Sequence, residues 1–144
     1  MLTLLRTLLA PNPPRLSAPD ARLALAALLV RIARSDGHYS PAEAAHVEAI
    51  LRARHNLSDT AAAALRTAAE TVEAEAPDTV RFTRALKEAV PIEDREALVQ
   101  ALWTVALADG HRDAEEDRML RLITNLLGLT DVESAQARHR AQKL

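Results

Sequence analysis

A tripeptide that recurs together with its surroundings constrains this chain more than any other feature. Asp36-Gly37-His38 returns as Asp109-Gly110-His111. At the same offset Leu25 meets Leu98, Leu29 meets Leu102, Ile32 meets Val105, Ala33 meets Ala106, Glu43 meets Glu116, Val47 meets Leu120 and Ile50 meets Ile123. With one residue deleted, Asn56-Leu57-Ser58-Asp59 then matches Gly128-Leu129-Thr130-Asp131. Apolar positions fall on apolar positions throughout, so the chain reads as two copies of one unit, over about 20–76 and about 93–142. Apolar residues on both sides of each DG turn follow helical spacing. The unit is therefore helix, DG turn, helix, cap, helix.

The local chemistry of each copy agrees with that reading. Gly37 can take the positive φ that the end of a helix commonly requires. Ser40-Pro41-Ala42-Glu43 offers a hydroxyl at the N-cap, proline at the first helical position and glutamate three residues after the cap, the pattern of a capping box. In the second copy Asp113-Ala114-Glu115-Glu116 offers Asp113 as the cap and Glu116 as the third position, with carboxylates favoured at a helix N-terminus. Asn56 and Gly128 occupy equivalent helix-ending positions, and Ser58 and Thr130 are the next N-caps.

A chain of 144 residues makes one domain with one substantial core. Ala, Leu, Arg and Glu dominate, with only three Gly, one Trp, one Tyr and one Phe, a composition that favours helix over sheet. The prolines of Pro11-Asn12-Pro13-Pro14 end any helix begun in the leucine-bearing leader, so residues 1–15 are set apart as a leader helix or arm and 16–144 form the main domain. Helical segments are expected at about Asp20–Ser35, Pro41–Arg54, Asp59–Ala76, Thr79–Val90, Pro91–Ala108, Ala114–Leu127 and Asp131–Arg140. The fold expected is an all-α, single-domain helical bundle of about seven helices, leader included, built from the two repeated units. Trp103, among Leu98, Leu102 and Val105, belongs to its core.

The turns also gather oxygen ligands. Asp36 with Glu43, and Asp109 with Asp113 and Glu116, surround their turns with carboxylates, and hard cations such as calcium want six or more oxygens. The second turn imitates the latter half of an EF-hand loop, yet Val105 and Leu107 stand where its first acidic ligands belong. Weak affinity is expected unless the two turns pool ligands. His38 and His111 recur beside these carboxylates and would suit zinc or another transition metal. Against this stands a structural account in which Glu43 and Glu116 complete capping boxes and Asp36 and Asp109 are turn residues.

Ala33-Arg-Ser-Asp-Gly-His-Tyr-Ser-Pro-Ala-Glu-Ala44 and Ala106-Leu-Ala-Asp-Gly-His-Arg-Asp-Ala-Glu-Glu-Asp117 resemble the paired signatures of the TerB-like family, over most of the chain from about Asp20 onward. That resemblance implies an all-α domain, an association with bacterial tellurite resistance and stress response, and acidic residues that bind divalent cations such as calcium. Ser40 stands where the second copy has Asp113, so the two turns differ in ligand supply.

Several chemistries are excluded. Without cysteine there are no disulfides, thiolate metal sites or thiol nucleophiles. His46-Val47-Glu48 imitates the His-x-Glu of zinc deaminases but lacks their cysteine ligands. No nucleophile and base can be paired, so no enzyme is expected. A net charge of −2 and a lack of aromatic platforms speak against nucleic acid. The basic run Arg138-His139-Arg140 with Lys143 reads as a solvated helix end. His55 and His139 lie near helix C-termini, where a cation suits the dipole. The leader is too short to span a bilayer and lacks the features of a signal peptide, so a cytoplasmic protein is expected. Two functions remain: a divalent-cation-responsive element of a stress-resistance system, or a helical module whose acidic or apolar surface recognises a protein partner and whose DG turns are purely caps. A homo-oligomer is compatible with either.

Overall fold

A computed structural model describes residues 2–11, 17–35, 37, 39–76, 78–107 and 114–142. Among these, eight helices and no strand are present: α1 (Leu2–Leu9), α2 (Ala18–Ala33), α3 (Pro41–His55), α4 (Asp59–Glu75), α5 (Thr79–Ala89), α6 (Ile92–Leu107), α7 (Ala114–Leu126) and α8 (Asp131–Gln142). The all-α class is as expected, and the eight helices are the leader and the seven segments anticipated after it. Val90 adopts φ −104° and ψ 125°, extended as the residue before a proline must be, and so keeps α5 and α6 apart.

The caps explain the boundaries. Ser17, Ser40, Ser58 and Asp78 each accept a hydrogen bond from the backbone N–H three residues on, opening α2, α3, α4 and α5. Thr130 and Glu133 form a complete capping box: Thr130 N–H donates to Glu133 Oε1 at 2.8 Å, and Glu133 N–H to Thr130 Oγ1 at 3.1 Å. The Thr130 backbone N–H first, and then the Thr130 hydroxyl, pull the Glu133 carboxyl below its ordinary range. The expected terminators hold as well. Asn56 has φ 53° and Gly128 φ 86°, and in both the following amide reaches back five residues, Leu57 to Arg52 and Leu129 to Thr124. Gly37 differs in detail: φ is 83° as anticipated, but the helix has already ended at Ala33, and Gly37 N–H closes a turn on Arg34 O at 3.0 Å.

The core is built around α2. Ala24 to Val30 are all buried, so this helix is enveloped rather than amphipathic, the pattern of a helix apolar on every side. Its alanines let α3, α4, α6 and α7 all pack against it. Positions matched by the repeat share burial: Leu25 with Leu98, Leu29 with Leu102, Ala33 with Ala106 and Val47 with Leu120. Leu4, Leu5 and Leu8 of α1 are buried in the same core and α1 packs on α5. No described helix is long and apolar enough to cross a membrane.

One core position is poorly matched to its surroundings. Thr83 on α5 is fully buried and its hydroxyl has no hydrogen-bond partner. An unsatisfied buried polar group costs about 1–3 kcal/mol. Thr83→Val keeps the shape and removes the hydroxyl, so it is expected to stabilise the protein by about 1 kcal/mol, raising the thermal midpoint by roughly 2–4 °C. A midpoint that stays put or falls in a calorimetric scan contradicts this.

Candidate functional site

The first DG turn is held by a chain of charges that no local motif announces. Arg31 and Arg34, one turn apart at the end of α2, both reach Glu73 at the end of α4: Arg31 Nε lies 3.2 Å from Glu73 Oε1 and Arg34 Nη1 3.2 Å from Oε2. Arg31 Nη2 also donates to the Glu73 carbonyl at 3.1 Å. The Arg34 guanidinium covers the Tyr39 ring at 5.0 Å, and the Tyr39 hydroxyl donates to Glu70 Oε2 at 2.6 Å. Arg66 continues the chain, bonding both Glu70 oxygens and reaching Glu48 Oε1 on α3 at 2.9 Å. Arg31 meanwhile lies 5.5 Å from the centroid of Phe82 on α5.

These contacts clamp both flanks of the turn, because Arg34 precedes Asp36-Gly37-His38 and Tyr39 follows it. Burial and the short bond to Glu70 push the Tyr39 phenol well above its ordinary range, so it stays a neutral donor. The three Arg and three Glu balance, which is what half-buried charges require. The sequence pattern does not anticipate this clamp: Glu48 stands out only as part of His46-Val47-Glu48, and Arg34 and Tyr39 only as part of the first DG signature. A signal was there: Arg66, Glu70 and Glu73 fall on one helical face, as do Arg31 and Arg34 on α2. The second copy has Thr104 and Leu107 in place of Arg31 and Arg34, so the clamp belongs to the first copy. At the position equivalent to Arg66, Arg138 instead lies 5.1 Å from the centroid of Trp103, whose indole N–H donates to Ser134. Trp103 is a core residue as expected, but Arg138 is docked on it and is not part of a freely solvated helix end.

Of the anticipated ligands, Glu43 lies among the described residues. Its carboxylate meets the Ser40 hydroxyl at 3.5 Å, while Ser40 Oγ accepts the Glu43 N–H at 3.1 Å. Thus Ser40 does its part of the capping box, whereas Glu43 is seen against the hydroxyl rather than the Ser40 N–H, unlike the closed box at Thr130 and Glu133. Asp36, His38, Asp109, His111 and Asp113 lie outside the described residues, as does the side chain of Glu116, which sits in the first turn of α7. Among the described residues no three His, Asp or Glu side chains come close enough to hold a metal. His46 is exposed on α3. His55 departs from the expected cation at a helix end: burial, then Arg22 and Arg54, push its imidazole below the ordinary value, favouring the neutral form.

The order of the helices and the caps among the described residues are those anticipated from the sequence, and residues 22–139 match the model of a family described as tellurite resistance protein TerB. The chain belongs to the TerB family. No curated protein and no solved structure matches it. The TerB match begins in α2 and ends in α8, so it takes in both DG turns and the whole Arg–Glu–Tyr clamp. It leaves out α1, although Leu4, Leu5 and Leu8 are part of the common core.

Proposed function

We propose that this TerB-family chain is a non-catalytic module that takes up a divalent cation, calcium foremost, on its acidic DG turns. Asp36, Glu43, Asp109, Asp113 and Glu116 are the oxygen donors in this reading. His38 and His111 are the additional donors if the ion is zinc. The observation that supports it is the half-formed capping box: a glutamate at the third helical position, not engaged with the cap's N–H, keeps oxygen lone pairs for a ligand. The charge clamp adds a frame at the flanks, Arg34 before the turn and Tyr39 after it, and ligands carried between anchored flanks lose less freedom on binding.

Calorimetric titration of calcium, then zinc, into metal-stripped protein tests the proposal. Saturable binding is expected, lost or weakened at least about tenfold in a variant carrying Asp109→Asn and Glu116→Gln, as fewer ligand charges lower cation affinity. No heat with either cation overturns it and leaves the turns as helix caps of an interaction module. Tellurite is itself an oxyanion, which carboxylate-rich turns repel. Any contribution to resistance therefore runs through the cation or a partner, and saturable tellurite binding by the purified protein contradicts that.

A further inference from the structure

Where α5 and α7 end and α6 and α8 begin, the bundle carries a basic half that runs back along α5 and an acidic half, both with apolar residues left in solvent. On the basic half, Arg81, Arg84 and Lys87 recur along α5 and, with a single carboxylate from Glu88, line an open groove of ≈ 730 Å³ whose apolar wall includes Leu9 and Leu126. Arg81 and Arg84 are exposed, and Leu9 is 40% exposed. The acidic half begins at the next helix: Ile92, 69% exposed, is followed by exposed Glu93 and Asp94 at the start of α6. On α8, which packs on α6, exposed Asp131 and Val132 open the helix, Val132 being 67% exposed and bordered further along by His139 and Arg140.

Close contacts fix the two halves side by side. Arg95, one turn into α6, donates to the carbonyls of Lys87 at 2.7 Å and Val90 at 3.2 Å. Gly128, four residues before Val132, packs so near Lys87 that an added Cβ would meet the lysine Cε at 3.3 Å. Three of the four large apolar side chains most exposed among the described residues, Leu9, Ile92 and Val132, thus belong to these two halves. Exposed apolar side chains gathered on one surface and rimmed by charge mark interaction surfaces.

We infer that this surface is the interface of a homodimer, the acidic half of one copy seated on the basic groove of the other. A two-fold interface uses the same patch on both subunits and must be self-complementary. Adjacent basic and acidic halves meet that requirement, because a two-fold turn lays each upon its opposite. Ile92, flanked by Glu93 and Asp94, has the chemistry the groove takes: an apolar group for its wall and carboxylates for Arg81, Arg84 and Lys87. A flat anionic membrane does not fit as well, since the groove's wall includes Leu8, which is 1% exposed and recessed beneath the basic rim.

Charge reversal on the full chain, read by sedimentation, is the test. The wild-type chain is expected to sediment as a dimer that dissociates as salt rises. Arg81→Glu/Arg84→Glu and, separately, Glu93→Arg/Asp94→Arg are each expected to weaken self-association by roughly a hundredfold. Mixing the two variants restores a dimer, because each then offers the other the opposite charge in both halves. A misfolded variant cannot give that rescue. A wild type that stays monomeric, or reversed variants that dimerise as before or fail to pair on mixing, overturn the inference.

Discussion

Glu73→Gln is expected to destabilise the protein by about 3 kcal/mol and to loosen the first DG turn before the rest of the fold. Glu73 and Arg31 are only 11% and 12% exposed in their side chains, so their attraction is weakly screened by solvent. Removing one partner of such a pair costs about 3–5 kcal/mol, chiefly because the remaining charge stays desolvated and unmatched. The lower figure applies here, since Arg31 keeps its bond to the Glu73 carbonyl and the 41% exposed side chain of Arg34 can turn to water. Urea unfolding should show the loss as a lower midpoint at unchanged slope. Amide exchange at Gly37, whose N–H bonds to Arg34 O, should accelerate more than exchange in α6. Replacing Arg31 and Glu73 together by Met should restore most of the stability, as apolar replacements of buried ion pairs generally do. A single variant as stable as the wild type would show the pair to be solvated and the clamp to be ornamental.

The clamp also marks where sequence reading ends. Caps are legible because their partners are local: Ser40, Ser58 and Thr130 accept from the N–H three residues on, and Asn56 and Gly128 take the positive φ that a helix end requires. The all-α class follows for the same reason, the signal being repeated in each segment. Arg31 and Glu73 lie 42 residues apart, and their meeting depends on which faces of α2 and α4 pack together. Helical period gives a face but not its neighbour. The burial of α2 on all sides was hidden too. Alanine contributes little to an amphipathic pattern, yet its small size lets four helices close around one. For the turns, spacing alone permits both a capping box and a ligand set. The 3.5 Å contact of Glu43 with the Ser40 hydroxyl, against the closed box at Glu133, makes that choice a structural one.

Phe82→Ala is expected to cost about 4 kcal/mol, within the usual 3–5 for emptying a buried phenylalanine site. Phe82 is the chain's single Phe and is fully buried. It sits on α5, which lies outside both repeated units and so outside the pattern that makes the fold legible. Yet α5 packs on α1 and α7, and Phe82 meets Arg31 of α2, so this helix ties the leader and the second copy to the charge clamp of the first. Truncation removes the ring's apolar area and also its contact with Arg31, itself worth roughly 0.5–1 kcal/mol or more where shielded. Against a total stability of about 5–15 kcal/mol, such a loss brings the protein close to unfolding at physiological temperature. Phe82→Leu, which leaves a smaller void, should retain more than half of the lost stability. A double-mutant cycle of Phe82→Leu with Arg31→Met separates the ring–guanidinium contact from plain cavity formation, because only the former gives a coupling between the two sites. Should Phe82→Ala cost less than about 1 kcal/mol in urea unfolding, α5 is a linker lying over the core and the two copies cohere without it. A loss near the expected value makes it the piece that joins them.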